Sequence, residues 1–245
     1  MELARITNPD DYLPFIEGAK DLDDLTIKVQ KIIEQWGFSS FSYWLKQSPN
    51  GTHEPIAFAT YPAEYSKHYM KNKYYLHDMI GLASTASCLP FDWSQIEDNY
   101  HITRMQKQLF DESASVGMKS GGCIPIHGPY NSHAVFSVVS DQSKKEFGRW
   151  FNTCKHDIHI IALYIHEKVL KLDSASGQRV VSMTMRELEV LTWVSRGKTY
   201  WETGKILNIQ EDTVKKHIKK ACSLLQASNS SQAVARAVFY GLIVP

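Results

Sequence analysis

Between Thr184 and Leu225 the sequence reads "TMRELEVLTWVSRGKTYWETGKILNIQEDTVKKHIKKACSLL", three short apolar-periodic segments broken at Arg196 to Lys198 and again at Asn208 to Gln210. Val190, Leu191 and Val194 form one stripe; Trp201, Ile206 and Leu207 form a second. With Val214 at zero on a helical wheel, Ile218, Ala221 and Leu225 of the third segment lie within about 40° of it, whereas Lys215, Lys216, Lys219 and Lys220 span about 100° to 240°. One face packs and the other is cationic. Two helices joined by a brief turn, the second bearing the charge, are the requirement of a helix-turn-helix that seats its second helix in the major groove. A fourth apolar segment, "SQAVARAVFYGLI", follows and stops at Gly241.

A lysine face on one amphipathic helix is ordinarily just a solvated face. The charge balance weighs against that reading here. Residues 1–175 carry 17 Lys+Arg and 21 Asp+Glu, a net of −4, while residues 176–245 carry 10 and 5, a net of +5. The change of sign falls in the breaker-rich "KLDSASGQRV". Two domains with different partners are expected: 1–169, a linker at 170–181, and a basic 182–245 suited to a polyanion.

Residues Thr184 to Ile243 resemble the DNA-binding domain of the LuxR family, through Thr184, Arg186, Glu187, Glu189, Val190, Leu191, Gly197, Lys198, Thr199, Glu202, Leu207, Thr213, Val214 and His217. The resemblance implies promoter binding as a homodimer through a four-helix unit. Lys215 and Lys219 then take positions that reach base edges or nearby phosphates, Lys198, Thr213, Lys216 and Lys220 are assigned to the DNA backbone, and Thr199 is a further DNA-binding position. Ser231 to Phe239 matches the helix through which such domains pair. The chain departs from the pattern in having Thr203-Gly204 for Ile-Ala, Gln210 for an N-cap Ser, and Leu224 for a Lys. Gly204 permits a close helix crossing and lowers helix propensity by about 1 kcal/mol, so a less stable domain is expected.

The N-terminal part alternates helical patterns ("DLDDLTIKVQKIIEQWGF", "YHITRMQKQLFDESASVG", "WFNTCKHDIHIIALYIHEKVLKL") with strand-like runs ("FSSFSYWL", "PIAFATY", "GGCIPIH", "HAVFSVVS"). An α+β fold is expected, an α/β/α sandwich around an antiparallel sheet, followed by the all-α C-terminal domain. Within the sandwich, Tyr61, Tyr65 and Tyr69 recur at four-residue spacing, which predicts three phenols on one helix face, with Asp78 following. Plain core packing is one reading of that stripe. The other is a pocket for a small ligand with a polar head, which would partner the hydroxyls and the carboxylate.

This stretch resembles the autoinducer-binding domain of the same family, whose members bind N-acyl-homoserine lactones. The resemblance places Tyr61, Tyr65, Tyr69, Asp78, Trp93 and Gly121 at pocket positions, followed by Leu109, Phe110, Ser113, Met118, Cys123 and Ser137. It implies that Asp78 accepts the ligand amide N–H, that Tyr69 contacts the amide region or acyl chain, and that Trp93 closes over the lactone ring. Tyr65 stands where relatives carry a Trp that donates to the lactone carbonyl, and Met79 where they carry Pro. The signal is therefore a lactone or a related small molecule, with a non-lactone ligand, a constitutive regulator or control by a protein partner as alternatives. Trp44, on a strand run, would shorten the space for an acyl tail if period-2 alternation aims it inward.

No enzymatic function is expected. The histidines are isolated, and neither HExxH nor GxSxG occurs. No CxxC spacing links Cys88, Cys123, Cys154 and Cys222, so no metal or disulfide framework is expected, and no cofactor. With no long apolar run and no secretory pattern at the N-terminus, no membrane partner is expected and the cytoplasm is the expected location.

Overall fold

The computed structural model describes residues 8–47, 55–128, 132–175 and 182–245, and the chain divides into two compact units, each described by itself. In the first unit five strands form one antiparallel sheet: β1 (Ser40–Gln47), β2 (Ile56–Ala59), β3 (Phe91–Asp92), β4 (Ser120–His127) and β5 (His133–Ser140), in the order β2-β1-β5-β4-β3. Strand alternation separates two faces. Phe41, Tyr43 and Leu45 of β1 share one with Phe136 and Val138 of β5 and Ile124 and Ile126 of β4. Ser42, Trp44 and Lys46 share the other with Val135, Ser137 and Val139.

The first face is covered by α1 (Leu13–Glu17), α2 (Leu22–Gln35) and the long α7 (Lys144–Ala175). Asp21 caps α2, its carboxylate accepting from the Asp24 amide at 2.8 Å, and Leu25, Val29, Ile32 and Ile33 line the buried stripe. Along α7, Phe147, Phe151, Cys154, Ile158, Ile161, Ile165 and Val169 are buried at helical spacing. The opposite face carries α3 (Ala63–Lys71), α4 (Met79–Ala86), α5 (Ser94–Asn99) and α6 (Arg104–Ser115). Adjacent glycines on β4 make both layers possible. A Cβ on Gly121 would lie 2.6 Å from the Trp93 ring on one face, and a Cβ on Gly122 2.3 Å from the Phe151 ring on the other. This is the α/β/α sandwich the strand and helix patterns imply.

Two expectations need correction. α7 continues to Ala175, so the segment expected to be linker begins as helix; Leu170 and Leu172 pack on the core and hold it there. The remainder, 176–181, lies outside the described residues. Tyr61 is not on the tyrosine helix, because Pro62 is the N-cap of α3 and Tyr61 precedes it.

The second unit is α8 (Met185–Ser195), α9 (Tyr200–Leu207), α10 (Glu211–Leu224) and α11 (Ser230–Phe239). Reciprocal capping boxes start α8 (Thr184 with Glu187) and α9 (Thr199 with Glu202). Asn208, left-handed at φ 52°, ends α9 and turns the chain into α10. Val190, Leu191, Val214, Ile218, Ala221, Leu225, Ala233 and Ala237 form the core. The stripe expected on α9 is only partly inward: Trp201 and Ile206 are 60% and 44% exposed, and Thr203 and Gly204 face the core in their place. Gly204 makes its close approach to the α9–α10 turn rather than to a crossing helix, since a Cβ there would lie 2.7 Å from the Ile209 carbonyl oxygen.

Candidate functional site

On the second face of the sheet a cavity of about 420 Å³ lies between β1, β2 and β5 below and α3, α4 and α6 above. That size suits a small organic ligand. Of the residues singled out from the sequence, Tyr61, Tyr65, Tyr69, Asp78, Trp93, Leu109, Phe110, Ser113, Met118 and Ser137 line it. Cys123 does not; it is fully buried beneath the lining, and burial pushes its thiol up, so it stays neutral. Gly121 contributes space rather than contact, letting the Trp93 ring lie against β4.

Asp78 is the polar centre of the cavity. As N-cap of α4 its Oδ1 accepts the Ile80 amide at 2.9 Å, and its Oδ2 accepts the Tyr69 hydroxyl at 2.8 Å. Burial raises the carboxyl above its ordinary range, although the Tyr69 hydroxyl, the Ile80 amide and the Lys46 ammonium each oppose the shift. The Gly81 amide acts in the same sense, and a carboxylate with these donors still has acceptor capacity for a ligand N–H. Burial, reinforced by Asp78, holds the Tyr69 hydroxyl protonated, and burial does the same for Tyr61 and Tyr65. The Tyr61 and Ser42 hydroxyls are 3.0 Å apart, joining the tyrosine before α3 to β1.

Further lining comes from positions that carry no helical signal. Ser42, Trp44 and Lys46 enter by strand alternation on β1, Ala57 and Ala59 from β2, and Tyr75, Ile80 and Gly81 from the region around the start of α4. The Lys46 ammonium donates to the Gly81 carbonyl, and burial lowers its pKa against the opposing pull of Asp78. The alternation Ser42-Trp44-Lys46 was the available signal for β1. Tyr75 and Gly81 depend on how α3 and α4 are docked, which no local pattern encodes.

In the second unit α10 presents its lysines opposite its buried stripe. Lys215, Lys216, Lys219 and Lys220 are exposed, and Val214, Ile218 and Ala221 are buried. The Lys215 ammonium is 2.9 Å from Glu211 and 3.3 Å from Asp212, both in the first turn, and hydrogen bonding to Glu211 raises its pKa. Thr213 is half-buried beside them. Lys198 pairs with Glu202 at 3.7 Å, and the Thr199 hydroxyl is engaged in the α9 cap, donating to Glu202 at 2.9 Å. Glu187 and Glu202 both serve as capping groups.

Residues 21–169 match the family model described as the autoinducer binding domain, and residues 181–237 match that of the bacterial regulatory proteins of the luxR family. The transcriptional activator protein CarR of Pectobacterium carotovorum subsp. carotovorum is 32% identical over 208 residues, covering 81% of this chain and 84% of that one. The crystal structure of Escherichia coli SdiA superposes with a TM-score of 0.75 at 17% identity, covering 97% and 98% of the two chains. SdiA in complex with octanoyl-rac-glycerol gives 0.72, also at 17% identity, covering 96% and 94%. The matched families are regulatory rather than enzymatic, and no helix among the described residues is long and apolar enough to cross a membrane. A tyrosine-lined cavity centred on the Asp78 carboxylate, followed by a basic helix-turn-helix, joins these matches in one conclusion: the chain belongs to the LuxR family of transcriptional regulators, with an autoinducer-binding domain ahead of a LuxR-type DNA-binding domain.

Proposed function

We propose that the protein is a cytoplasmic quorum-sensing receptor that holds an N-acyl-homoserine lactone, or a related acylated small molecule, in the β1/α3/α4 cavity and binds promoter DNA as a homodimer. The observation that carries the reading is Asp78, a carboxyl whose pKa burial raises, held by Tyr69 and Ile80 and facing a cavity rich in tyrosine and tryptophan. An amide N–H is the natural partner for it. The ligand head then lies between Asp78 and Trp93, with Tyr61, Tyr65, Tyr69, Leu109, Phe110, Ser113, Met118 and Ser137 around the ligand. In the DNA complex Lys215 and Lys219 reach base edges or adjacent phosphates, and Lys198, Thr199, Thr213, Lys216 and Lys220 contact the backbone. The segment around α11 pairs two copies across a palindromic operator.

Asp78→Asn tests the pocket. Because Asp78 also caps α4, Asn is a sounder probe than Ala: it keeps an N-cap oxygen while converting one acceptor to a donor. The variant is expected to fold and to lose the thermal stabilisation that N-octanoylhomoserine lactone gives the parent. Undiminished stabilisation refutes the assignment.

A second reading, a non-lactone acylated ligand, has its own support. Tyr65 replaces the Trp expected to donate to the lactone carbonyl, and a phenol donates from a smaller ring at a different angle. The SdiA complex with octanoyl-rac-glycerol shows that one fold relative holds an acylated molecule without a lactone ring. Mass spectrometry of small molecules extracted from the purified protein separates the two.

A further inference from the structure

We infer that Trp44 and Tyr75 form an aromatic stop that limits the acyl chain of the ligand to a short or compact group, and that Trp44 sets the length accepted. The inference rests on the proposed pocket, in which the head lies between Asp78 and Trp93 and the tail points away toward Trp44.

Trp44 sits on the cavity face of β1, opposite Ala57 of β2 and Val135 of β5, small and medium side chains that leave its indole standing over the sheet. The ring meets Tyr69 edge-on with centroids 6.5 Å apart and Tyr75 at 5.6 Å. Ring centroids 5.6 Å apart are in packing contact, and a methylene chain needs a free van der Waals width between them. Tyr75, 37% exposed, and Met70, 56% exposed, mark where the cavity reaches the surface. A tail leaving Asp78 in that direction therefore meets a closed aromatic pair before it reaches solvent.

The Trp93 end is walled by aromatic and sulfur side chains. Trp93, Phe110, Ser113 and Met118 stand between this cavity and a recess of only about 100 Å³ behind them. The Trp44 indole Nε1 is buried without a hydrogen-bond partner among the described residues, so packing alone holds the ring in place. Removing the ring breaks no hydrogen bond, and a smaller side chain opens the gap toward Tyr75.

The experiment compares full-length protein and Trp44→Leu against N-butanoyl-, N-octanoyl- and N-dodecanoylhomoserine lactone, and the matching acyl glycerols, by thermal shift and titration. The parent is expected to bind the dodecanoyl member at least about tenfold more weakly than its best shorter one, and Trp44→Leu to remove that penalty. Tyr75→Ala opens the same gap from the solvent side and gives the same result should Trp44→Leu fold poorly. A parent indifferent to chain length overturns the inference, as does an unchanged length profile in a folded variant. If glycerols bind and lactones do not, the lactone head group is wrong and the length series still reads the stop. If neither series binds, the ligand reading falls, and the stop with it.

Discussion

Thr203 carries a hydroxyl that is wholly buried in the helix-turn-helix core with no hydrogen-bond partner among the described residues. An unpaired buried hydroxyl costs about 1–3 kcal/mol, and Val has nearly the same shape without that cost. Thr203→Val is therefore expected to stabilise the second unit by about 1 kcal/mol in chemical denaturation; a loss of stability would mean that the hydroxyl is satisfied. In the first unit the Tyr43 hydroxyl lies 2.7 Å from His166 Nδ1 behind the sheet, and burial, with His133 adding to it, lowers the imidazole pKa to about 4. With its folded pKa below the unfolded one, His166 contributes stability above the unfolded pKa of about 6.5 that is lost as pH falls toward 4, at up to about 1.4 kcal/mol per pH unit. Urea denaturation at pH 7 and pH 5 is expected to show that acid loss in the parent, and a smaller one in His166→Gln.

α10 has apolar residues on its packed side and lysines on the other, but no side-chain cap at Gln210; Glu211 and Asp212 supply favourable charge in the first turn instead. Those acids also engage Lys215, so the proposed DNA contact of Lys215 would have to break an ion pair. Exposed pairs of this kind are weak, about 0.2–1 kcal/mol, so the competition is small. Lys216→Ala with Lys220→Ala is expected to lower the salt slope of operator binding by nearly two units, each phosphate contact being worth about 0.9. A slope unchanged in a fluorescence-anisotropy titration would remove those lysines from the backbone contacts. Elements of this kind were legible in the sequence because their pattern is local: α2, α10 and the strands β1, β2, β4 and β5 all fall on runs apparent in the sequence. Trp201 shows where that reasoning fails. Its apolar ring fits the α9 stripe on a wheel, yet Thr203 and Gly204 take the inward positions because the α9–α10 turn comes too close to admit a side chain at 204. The cavity divides the same way, with Tyr65, Tyr69 and Asp78 apparent from spacing and family pattern, and Tyr75 and Gly81 fixed by docking across the sheet.

At the scale of the whole molecule each unit has its own main core among the described residues. One is large and aromatic, built on Phe41, Tyr43, Phe136, Phe147 and Phe151; the other is small and aliphatic, built on Val190, Leu191, Val214, Ile218 and alanines. Unfolding enthalpy scales with the number of residues that fold together, so the two units are expected to unfold as distinct calorimetric transitions, the second unit giving the smaller heat. A ligand stabilises only the unit whose native state binds it. A ligand at 100 times its Kd adds about 2.7 kcal/mol, enough to raise the melting of the unit it occupies by several degrees. A small molecule in the Asp78 cavity is therefore expected to move only the larger transition, and operator duplex only the smaller. If the small molecule moves both, the two units are coupled in the free protein and the signal reaches the DNA-binding unit through folding energy. If each transition answers only to its own ligand, control of transcription must come from a change in pairing between two copies of the chain, and sedimentation with and without the small molecule would show it.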